Sequence, residues 1–375
     1  MPRVVVLGGG YAGLACLIEL SKRDKSLELH LVDAGADHCK ITNLHKTFQH
    51  PLEKFTVSYA ELAEKFHFTF HQHRLVFSEQ DFARWHKQQK LPLPQAALPF
   101  DWLVVATGAT PIQLDAGPGS FGQNELRRGE GKALLESFLE TRAEEPLQLS
   151  LVGGGATGVQ VMFELHEQLR RKRVPNKLRL IDQNQRLVPN LPEGVHNYIA
   201  KKLRRAGIDY LPDTNYIGQT DSQIQLAEMA TNHEYSLPSQ QTLLFPGVSA
   251  TPSTLETNAY GQVMSKGSTL ENISSAGDCS KFDSSGLNYL TAQAAVRKGK
   301  LVARNIVRLS GGEKPLTYRY QEKGYLVGLG ALDAIGWIGL RCNLVRGFPA
   351  SVIKDGMETQ YDLFLKGVDT YLDFP

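Results

Sequence analysis

Residues 4–13 read Val4-Val5-Val6-Leu7-Gly8-Gly9-Gly10-Tyr11-Ala12-Gly13, and this stretch decides the fold. The four apolar residues predict a buried strand, and the apolar spacing of residues 14–20 predicts a helix directly after the glycines. Strand, glycine-rich turn and helix in this order are typical of the first βαβ unit of a dinucleotide-binding domain. The stretch therefore favours an α/β fold, in which helices join parallel strands.

The same signature occurs a second time, as Leu149-Ser150-Leu151-Val152-Gly153-Gly154-Gly155-Ala156-Thr157-Gly158. In each copy the first glycine makes the turn, the second lets backbone amides approach a pyrophosphate, and the third lets helix and strand pack closely. An acid ends the next apolar run of each copy, Asp33 and Asp182, where it can bind a pair of ribose hydroxyls. Two complete copies predict that the chain binds two dinucleotides.

The composition is that of an ordinary globular protein. The chain has 375 residues, enough for two or three domains, with 42% hydrophobic and 21% charged residues. A net charge of +2 provides no basic surface for nucleic acid, so we predict no such partner. No apolar run approaches the roughly 18 to 20 residues of a membrane span, and we expect no signal peptide before the first strand. We expect a cytoplasmic protein, or one bound peripherally to the cytoplasmic face of a membrane.

Cysteines and histidines give no metal or disulfide signature. The four cysteines are widely spaced and form no Cys-x-x-Cys pair. Three histidines alternate in a predicted strand between residues 66 and 77, namely His67, His71 and His73. Alternate histidines can ligate zinc, but with no further ligand at a suitable spacing a solvated strand face is favoured. We predict no metal.

Four segments together resemble the FAD/NAD(P)-binding pyridine nucleotide-disulfide oxidoreductase superfamily. They are the two glycine signatures with their acids, Ala106-Thr107-Gly108 and Ala276-Gly277-Asp278. The resemblance implies that the first unit binds FAD through Gly8, Gly9, Gly10, Tyr11, Ala12, Gly13, Asp33, Lys46, Val76, Ala106, Thr107, Gly108, Gly277 and Asp278. It implies that the second unit binds NADH through Gly153, Gly155, Thr157, Gly158, Asp182 and Gly247. Arg186, close to Asp182, keeps NADPH as an alternative.

The resemblance also implies a domain order. Two Rossmann-like domains are expected, with the NAD domain inserted in the FAD domain and a small element at the C-terminus. The expected ranges are 1–115 for the first part of the FAD domain, 116–146 for a linker, 147–265 for the NAD(P)H domain, 266–316 for the second part of the FAD domain, and 317–375 for an interface or acceptor element.

Within the superfamily, the C-terminal part is similar to type II NADH:quinone oxidoreductases and apoptosis-inducing-factor-like flavoproteins. The matching residues are Ala292-Gln293-Ala294 and the glycine-containing stretches 325–330 and 347–350. This similarity implies hydride transfer from NADH to FAD and electron transfer onward to a non-thiol acceptor, with a quinone as the leading candidate. Gln293 is then expected to bind that acceptor.

The chain departs from the superfamily pattern at two points. It has no cysteine pair for a redox disulfide, and Cys39, near the position of a single reactive cysteine in some relatives, is interpreted as a plain loop cysteine. Gln160 stands where relatives carry a glutamate near the nicotinamide. We predict Gln160 as the side chain nearest the reacting ring, although an amide cannot titrate. For Glu164, one helical turn later, we favour a structural contact.

A C-terminal stripe of apolar residues has helical spacing, formed by Ile353, Met357, Tyr361, Phe364, Leu365, Val368, Tyr371 and Leu372. Such a stripe can lie on a membrane, form a homodimer contact or pack on the protein's own core. The acids interspersed with it should be repelled by anionic lipid.

Two alternative functions stay open. One is a reductase of a small redox protein of the ferredoxin or rubredoxin type. The other is a flavin-nucleotide sensor with little turnover, an interpretation that Gln160 and the acidic face of the stripe keep open.

Overall fold

The computed structural model describes residues 1–114, 117–140, 146–250 and 253–371. Leu372 of the predicted stripe and the predicted boundary at residues 115 and 116 lie outside these ranges. The α-helices are Tyr11–Arg23 (α1), Tyr59–Phe66 (α2), Glu79–Gln88 (α3), Gln123–Arg127 (α4), Gly131–Glu140 (α5), Ala156–Arg171 (α6), Glu193–Ala206 (α7), Ala292–Ser310 (α8) and Phe348–Leu365 (α9). Two 3-10 helices are Ile41–Phe48 and Leu52–Phe55.

An eight-stranded sheet forms the first dinucleotide-binding unit. In spatial order its strands are Ser280–Phe282, Leu255–Thr257, Gln262–Ser265, Ser268–Ser275, Trp102–Val105, Arg3–Leu7, Glu28–Asp33 and Phe68–Gln72. The last five run parallel, as the first glycine signature predicts. The predicted boundary at residue 265 is wrong, because the two strands between residues 255 and 265 already belong to this sheet.

A five-stranded parallel sheet forms the inserted unit. Its strands in spatial order are Ser120–Gly122, Gln241–Leu244, Leu147–Val152, Asn176–Ile181 and Asp209–Leu211. An antiparallel sheet of three strands accompanies it, made of Thr214–Gln219, Gln223–Glu228 and Glu234–Pro238. The interpretation of residues 116–146 as a linker is wrong in part, because this segment supplies an edge strand of the sheet and the helices α4 and α5.

The C-terminal element is an antiparallel sheet followed by α9. The strands are Gly324–Gly328, Ala334–Ile338 and Leu340–Gly347. The predicted C-terminal helix ends at Leu365, before Gly367 at φ +87°. Three two-stranded pairs complete the described strands: Ala109–Pro111 with Val248–Ala250, Asp37–Cys39 with Thr56–Ser58, and Lys90–Leu91 with Leu98–Pro99.

The predicted histidine face differs from the observed strand. The strand is Phe68–Gln72, so His67 and His73 lie outside it, and His67 ends α2 in the left-handed conformation. His71 Nε2 instead lies 2.9 Å from Nδ1 of the buried His30 on the neighbouring strand. In the described ranges, no helix is long and apolar enough to cross a membrane.

Helices α1 and α8 pack against each other at an unusually short distance, which the sequence motifs did not reveal. A Cβ atom on Gly299 of α8 would lie 2.1 Å from the carbonyl oxygen of Ala12 in the first turn of α1. Glu19, 4% exposed, accepts hydrogen bonds from Arg304 Nε at 2.7 Å and Arg23 Nε at 2.6 Å, which joins the two helices further along. The contact brings the N-terminal part of α8 beside the first glycine turn.

We predict that Gly299→Ala destabilises the protein by roughly 1–3 kcal/mol, because the added methyl group must displace backbone atoms. Gly356→Ala is the matched control, since Gly356 also lies inside a helix but a Cβ there meets no atom within 4 Å. The control should stabilise the protein by up to about 1 kcal/mol through helix propensity. Denaturant unfolding measures both changes. Equal stability of the two variants would contradict the close packing of α1 and α8.

Candidate functional site

A cleft of about 550 Å³ lies at the carboxyl ends of the parallel strands of the first sheet. Several segments of the chain contribute to its wall: the first glycine turn, residues 37–45, residues 106–109, the turn at Gly277 and Asp278, the start of α8 and the start of α6. The C-terminal element closes another side with Tyr325, Leu326 and residues of α9. Segments from both dinucleotide-binding units and from the C-terminal element therefore share one cavity.

The first glycine turn has the geometry that a bound pyrophosphate requires. A Cβ on Gly8, whose φ is +104°, would lie 2.4 Å from the Ala106 carbonyl oxygen, and one on Gly13 would lie 1.9 Å from the Gly8 oxygen. At Gly10, by contrast, a Cβ would meet nothing within 4 Å. The backbone packs closely on one side and faces open space on the other. The first amides of α1 have no partner within the helix, so this space fits a phosphate anion.

The second glycine turn repeats this geometry closely. Gly153 has φ +115° and its Cβ would lie 2.1 Å from the Phe245 oxygen, while a Cβ on Gly158 would lie 1.9 Å from the Gly153 oxygen. Gly155 again faces open space. In both units the first glycine donates its N–H to the end of the neighbouring strand, at Val32 or Ile181, at 2.8 Å. The duplication seen in the sequence is therefore a duplication of backbone geometry.

Each of the two acids stabilises its glycine turn by accepting a backbone N–H hydrogen bond from it. Asp33 accepts the N–H of Gly9 at 2.6 Å and that of Gly35 at 2.8 Å, and it also lines the cleft. Asp182 accepts the N–H of Gly154 and two bonds from Asn184, at 2.7 and 2.8 Å, and is 7% exposed. Each carboxylate can accept about four hydrogen bonds. Both acids thus keep acceptor capacity for a ribose hydroxyl while they hold the turn.

Asp278 lines the cleft beside a buried lysine. Lys298 of α8 is 1% exposed, and its ammonium donates to the carbonyl oxygens of Gly277 at 3.3 Å and Ser280 at 2.6 Å. Burial raises the pKa of Asp278 to about 6 and lowers the pKa of Lys298 to about 8, and the attraction between the two charges opposes both changes. Lys298 therefore holds the turn that presents Asp278 to the cleft, a role that no sequence motif indicated.

A buried histidine connects the first glycine turn to the C-terminal helix. His38, 2% exposed, donates from Nδ1 to the Gly9 carbonyl at 3.0 Å, and its Nε2 accepts the Tyr361 hydroxyl at 2.9 Å. Tyr59 donates to the same Gly9 carbonyl at 2.8 Å. Burial lowers the pKa of His38 to about 4, so the ring is neutral at pH 7 and can both donate and accept. The short strand Asp37–Cys39 gave no signal of this role in the sequence.

The predicted site residues fall into three groups. Those in the cleft wall are Gly8, Gly10, Tyr11, Ala12, Asp33, Ala106, Thr107, Gly108, Thr157, Gln160, Gly277, Asp278 and Gln293. Those that form or support the glycine turns are Gly9, Gly13, Gly153, Gly155, Gly158 and Asp182. Three stand apart: the carbonyl of Gly247 accepts the N–H of Ile112 at 3.1 Å, Lys46 Nζ pairs with Glu358 at 2.7 Å, and the side chain of Val76 is 89% exposed, outside the wall.

Gln160 joins the inserted unit to the C-terminal element. Its Oε1 accepts the backbone N–H of Gly328 at 3.3 Å, so its amide group is oriented by the first strand of that element. Glu164, one turn on, is buried and accepts hydrogen bonds from Gln49 and, at 3.0 Å, from Gln168. It thus makes a structural contact, as favoured above.

The described cysteines are all free. Cys39 lines the cleft, and burial raises its thiol pKa, which disfavours the reactive thiolate. Cys16 and Cys279 are buried, and Cys342 is exposed on the C-terminal sheet. None of the four forms a disulfide.

The family model for pyridine nucleotide-disulphide oxidoreductases matches residues 2–299. The chain belongs to this family. It is 24% identical over 401 residues to a type II NADH:quinone oxidoreductase of Staphylococcus epidermidis, covering 98% of this chain and 96% of that one. It is 24% identical over 386 residues to the corresponding protein of Staphylococcus aureus, covering 90% of this chain and 89% of that one.

Solved structures of this family share the fold. NDH2 of Plasmodium falciparum, in complex with NADH, superposes with a TM-score of 0.80 at 14% identity and covers 98% of this chain and 96% of its own. The sulfide:quinone oxidoreductase of Aquifex aeolicus gives a TM-score of 0.80 at 15% identity and covers 98% and 92%. The predicted family and the predicted α/β fold with two dinucleotide-binding units are confirmed.

The two glycine turns provide a matched pair of variants. Gly10→Val should give colourless protein, because its side chain would occupy the space that the structure leaves for the pyrophosphate of FAD. Gly155→Val should remain yellow, because the FAD-binding unit is unchanged. It should bind NADH at least tenfold more weakly, because its side chain would occupy the corresponding open space in the inserted unit. Absorbance of the purified proteins and NADH titration measure the two effects. Full flavin content in Gly10→Val would contradict the assignment.

Proposed function

We propose that this protein is an FAD-dependent oxidoreductase that takes a hydride from NADH and passes the electrons to a quinone. The observation that carries the proposal is the single cleft, whose wall combines the first glycine turn, Thr157 and Gln160 of the inserted unit, and Gln293 of α8. A flavin, a nicotinamide and an acceptor can meet in such a cavity. The named relatives of similar length support the same reaction.

The open space at Gly10 fits the pyrophosphate of FAD, with the first amides of α1 as hydrogen-bond donors. Bound FAD accepts a hydride and releases electrons to an acceptor. Thr291 caps α8 by accepting the N–H of Ala294 at 3.1 Å, while Ala292 and Gln293 begin the helix in the cleft wall. The positive end of α8 therefore stabilises negative charge in the cleft, by about 0.3–1 kcal/mol or more when buried.

Asp182 favours NADH over NADPH. Its carboxylate lies at the end of the strand Asn176–Ile181, behind the second glycine turn, where a 2′-phosphate would be repelled. Arg186, which kept NADPH open as an alternative, donates from Nη2 to the Leu191 carbonyl at 3.2 Å. That bond directs the guanidinium to the chain itself, which supports NADH as the dinucleotide.

The positions of the cysteines favour an electron acceptor that is not a thiol or disulfide. Transfer to sulfur needs a second sulfur to resolve the product, and among the described residues that line the cleft Cys39 has no cysteine partner. A quinone needs no such pair, because it takes up both electrons and protons directly.

We expect rapid oxidation of NADH with a soluble quinone, and retention of that activity within about twofold in Cys39→Ser and Cys342→Ser. The reason is that neither thiol takes part in the proposed electron path. The decrease in NADH absorbance at steady state measures the rate of oxidation with each member of a panel of acceptors. Loss of activity in Cys39→Ser alone would contradict the proposal. A preference for a small iron–sulfur protein as acceptor would favour the alternative function as a reductase of such a protein. Slow turnover with every acceptor would favour the flavin-nucleotide sensor.

Peripheral membrane attachment through the C-terminal element fits this function. The residues of the C-terminal apolar stripe differ in exposure. Tyr361, Phe364 and Leu365 are buried in the core, whereas Ile353 is exposed. Other exposed apolar side chains of the element are Leu332, Leu340, Leu344, Phe348, Val352 and Val368. Two acids of α9 are neutralised by lysines, Asp362 by Lys40 at 2.9 Å and Glu358 by Lys46 at 2.7 Å. The expected repulsion from anionic lipid is thereby reduced.

The exposed apolar side chains predict binding to phospholipid vesicles. Leu340→Asp and Phe348→Asp should each lower cosedimentation with phosphatidylcholine and phosphatidylglycerol vesicles severalfold, because a charge must then be placed at the lipid surface. Met229→Asp is the matched control, since Met229 is a half-exposed apolar residue of the inserted unit. A wild-type protein that does not sediment with vesicles would contradict membrane attachment through this surface.

A further inference from the structure

The part of the cleft wall near Gln293, the residue expected to bind the acceptor, contains a buried carboxyl group that none of the predicted roles uses. Glu322 precedes the first strand of the C-terminal sheet, is 9% exposed and lines the cleft. Its carboxyl oxygens lie 2.9 Å from the hydroxyl of Tyr320 and 3.3 Å from that of Thr291, the N-cap of α8. The Tyr320 hydroxyl also lies 3.3 Å from Oε1 of Gln293. The three side chains Glu322, Tyr320 and Gln293 thus form a continuous hydrogen-bonded chain, here called the proton chain.

The proton chain has two arrangements, because Tyr320 has one hydroxyl hydrogen and two acceptors within reach. When Glu322 is ionised, Tyr320 donates to the carboxylate. When Glu322 is protonated, the acid donates to the Tyr320 oxygen, and Tyr320 donates to Gln293 Oε1. The Gln293 amide hydrogens then remain for an acceptor carbonyl in the cleft. Protonation of Glu322 is in this way linked to the orientation of the residue expected to bind the acceptor.

The reaction requires a proton that Gln160 cannot supply. Conversion of a quinone to a quinol adds two electrons and two protons, and the hydride from NADH brings two electrons and one proton. A protonated acid in the cleft can supply the second proton. Gln160 lines the cleft, but its amide does not titrate.

We propose that Glu322, which lines the cleft, donates a proton directly to the quinone bound at Gln293, while Tyr320 positions the two side chains. The O–H bond of protonated Glu322 breaks, a new O–H bond forms on the quinol oxygen, and the carboxylate regains its proton from solvent. This assignment rests on the proposed quinone reductase activity.

The surroundings of Glu322 favour its protonated form. Burial raises its pKa, and the hydrogen bonds from Tyr320 and Thr291 and the guanidinium of Arg297 oppose that rise. Titratable groups of the described residues that face it include the phenols of Tyr318 and Tyr325, which are neutral at pH 7. Arg297 lies over the Tyr320 ring, 5.7 Å from its centroid. Because the protonated acid is the donor, quinone reduction should slow as pH rises through this pKa.

The test compares Glu322→Gln holoenzyme with wild type in two oxidation reactions. With a soluble quinone, the variant should be slower by about a hundredfold, the scale of general acid catalysis, and should lose the decline at high pH. With ferricyanide, which takes electrons without protons, it should equal wild type. Flavin content, visible spectrum and thermal unfolding should also be unchanged. Glu313→Gln is the control, because Glu313 is an exposed acid paired with Arg308 at 3.0 Å.

Each outcome decides the assignment. Equal loss with quinone and ferricyanide would assign Glu322 a structural role, and wild-type quinone reduction in Glu322→Gln would overturn the proposal while leaving the quinone reductase function intact. A wild-type protein that reduces ferricyanide but no quinone would overturn both. Tyr320→Phe tests the same proton chain if Glu322→Gln does not fold. It should slow quinone reduction and leave ferricyanide reduction unchanged, and activity equal to wild type with quinone would contradict the positioning of Glu322 and Gln293 by Tyr320.

Discussion

The structure depends on backbone contacts that leave no room for a side chain. The first turn of α1 lies between the turn at Gly8 and the middle of α8, and Gly13 and Gly299 are the residues that let these backbones meet, at distances of about 2 Å from where a Cβ would lie. This packing fixes the N-terminus of α1 at the ends of the parallel strands. The free amides of the helix consequently face the cleft, where they provide hydrogen-bond donors for an anion without any charged side chain.

The C-terminal element forms part of the cleft wall and also supports the first glycine turn. Tyr361 of α9 supports His38, which holds the carbonyl of the first glycine turn, and the lysines of residues 40 and 46 pair with acids of the same helix. Gln160 makes the corresponding connection to the inserted unit. A change in the C-terminal element can therefore reach the two glycine turns through short hydrogen-bonded paths, and removal of α9 would take the buried side chains Phe364 and Leu365 out of the core.

Charged and titratable groups around the cleft divide into two kinds. His38 and Lys298 are buried supports whose pKa values burial lowers, and they hold backbone carbonyls in place. Asp278 and Glu322 are acids in the cleft wall whose pKa values burial raises. The supports fix the turns, whereas the wall acids control the charge of the cavity.

The sequence by itself determined the two glycine turns, their acids, the parallel strands and the family, because these features depend on local backbone geometry and on short spacings along the chain. It placed the domain boundaries less well, since the edge strand Ser120–Gly122 and the strands between residues 255 and 265 join their sheets only through partners far along the chain. It also predicted no role for Gly299, Lys298, His38 or Glu322. A glycine in a helix, a lysine, a histidine and a glutamate are ordinary residues in a linear pattern. Only tertiary packing buried them and brought each within contact of a turn, a carbonyl or a hydroxyl from a distant segment, and burial beside those partners is what gives them their roles.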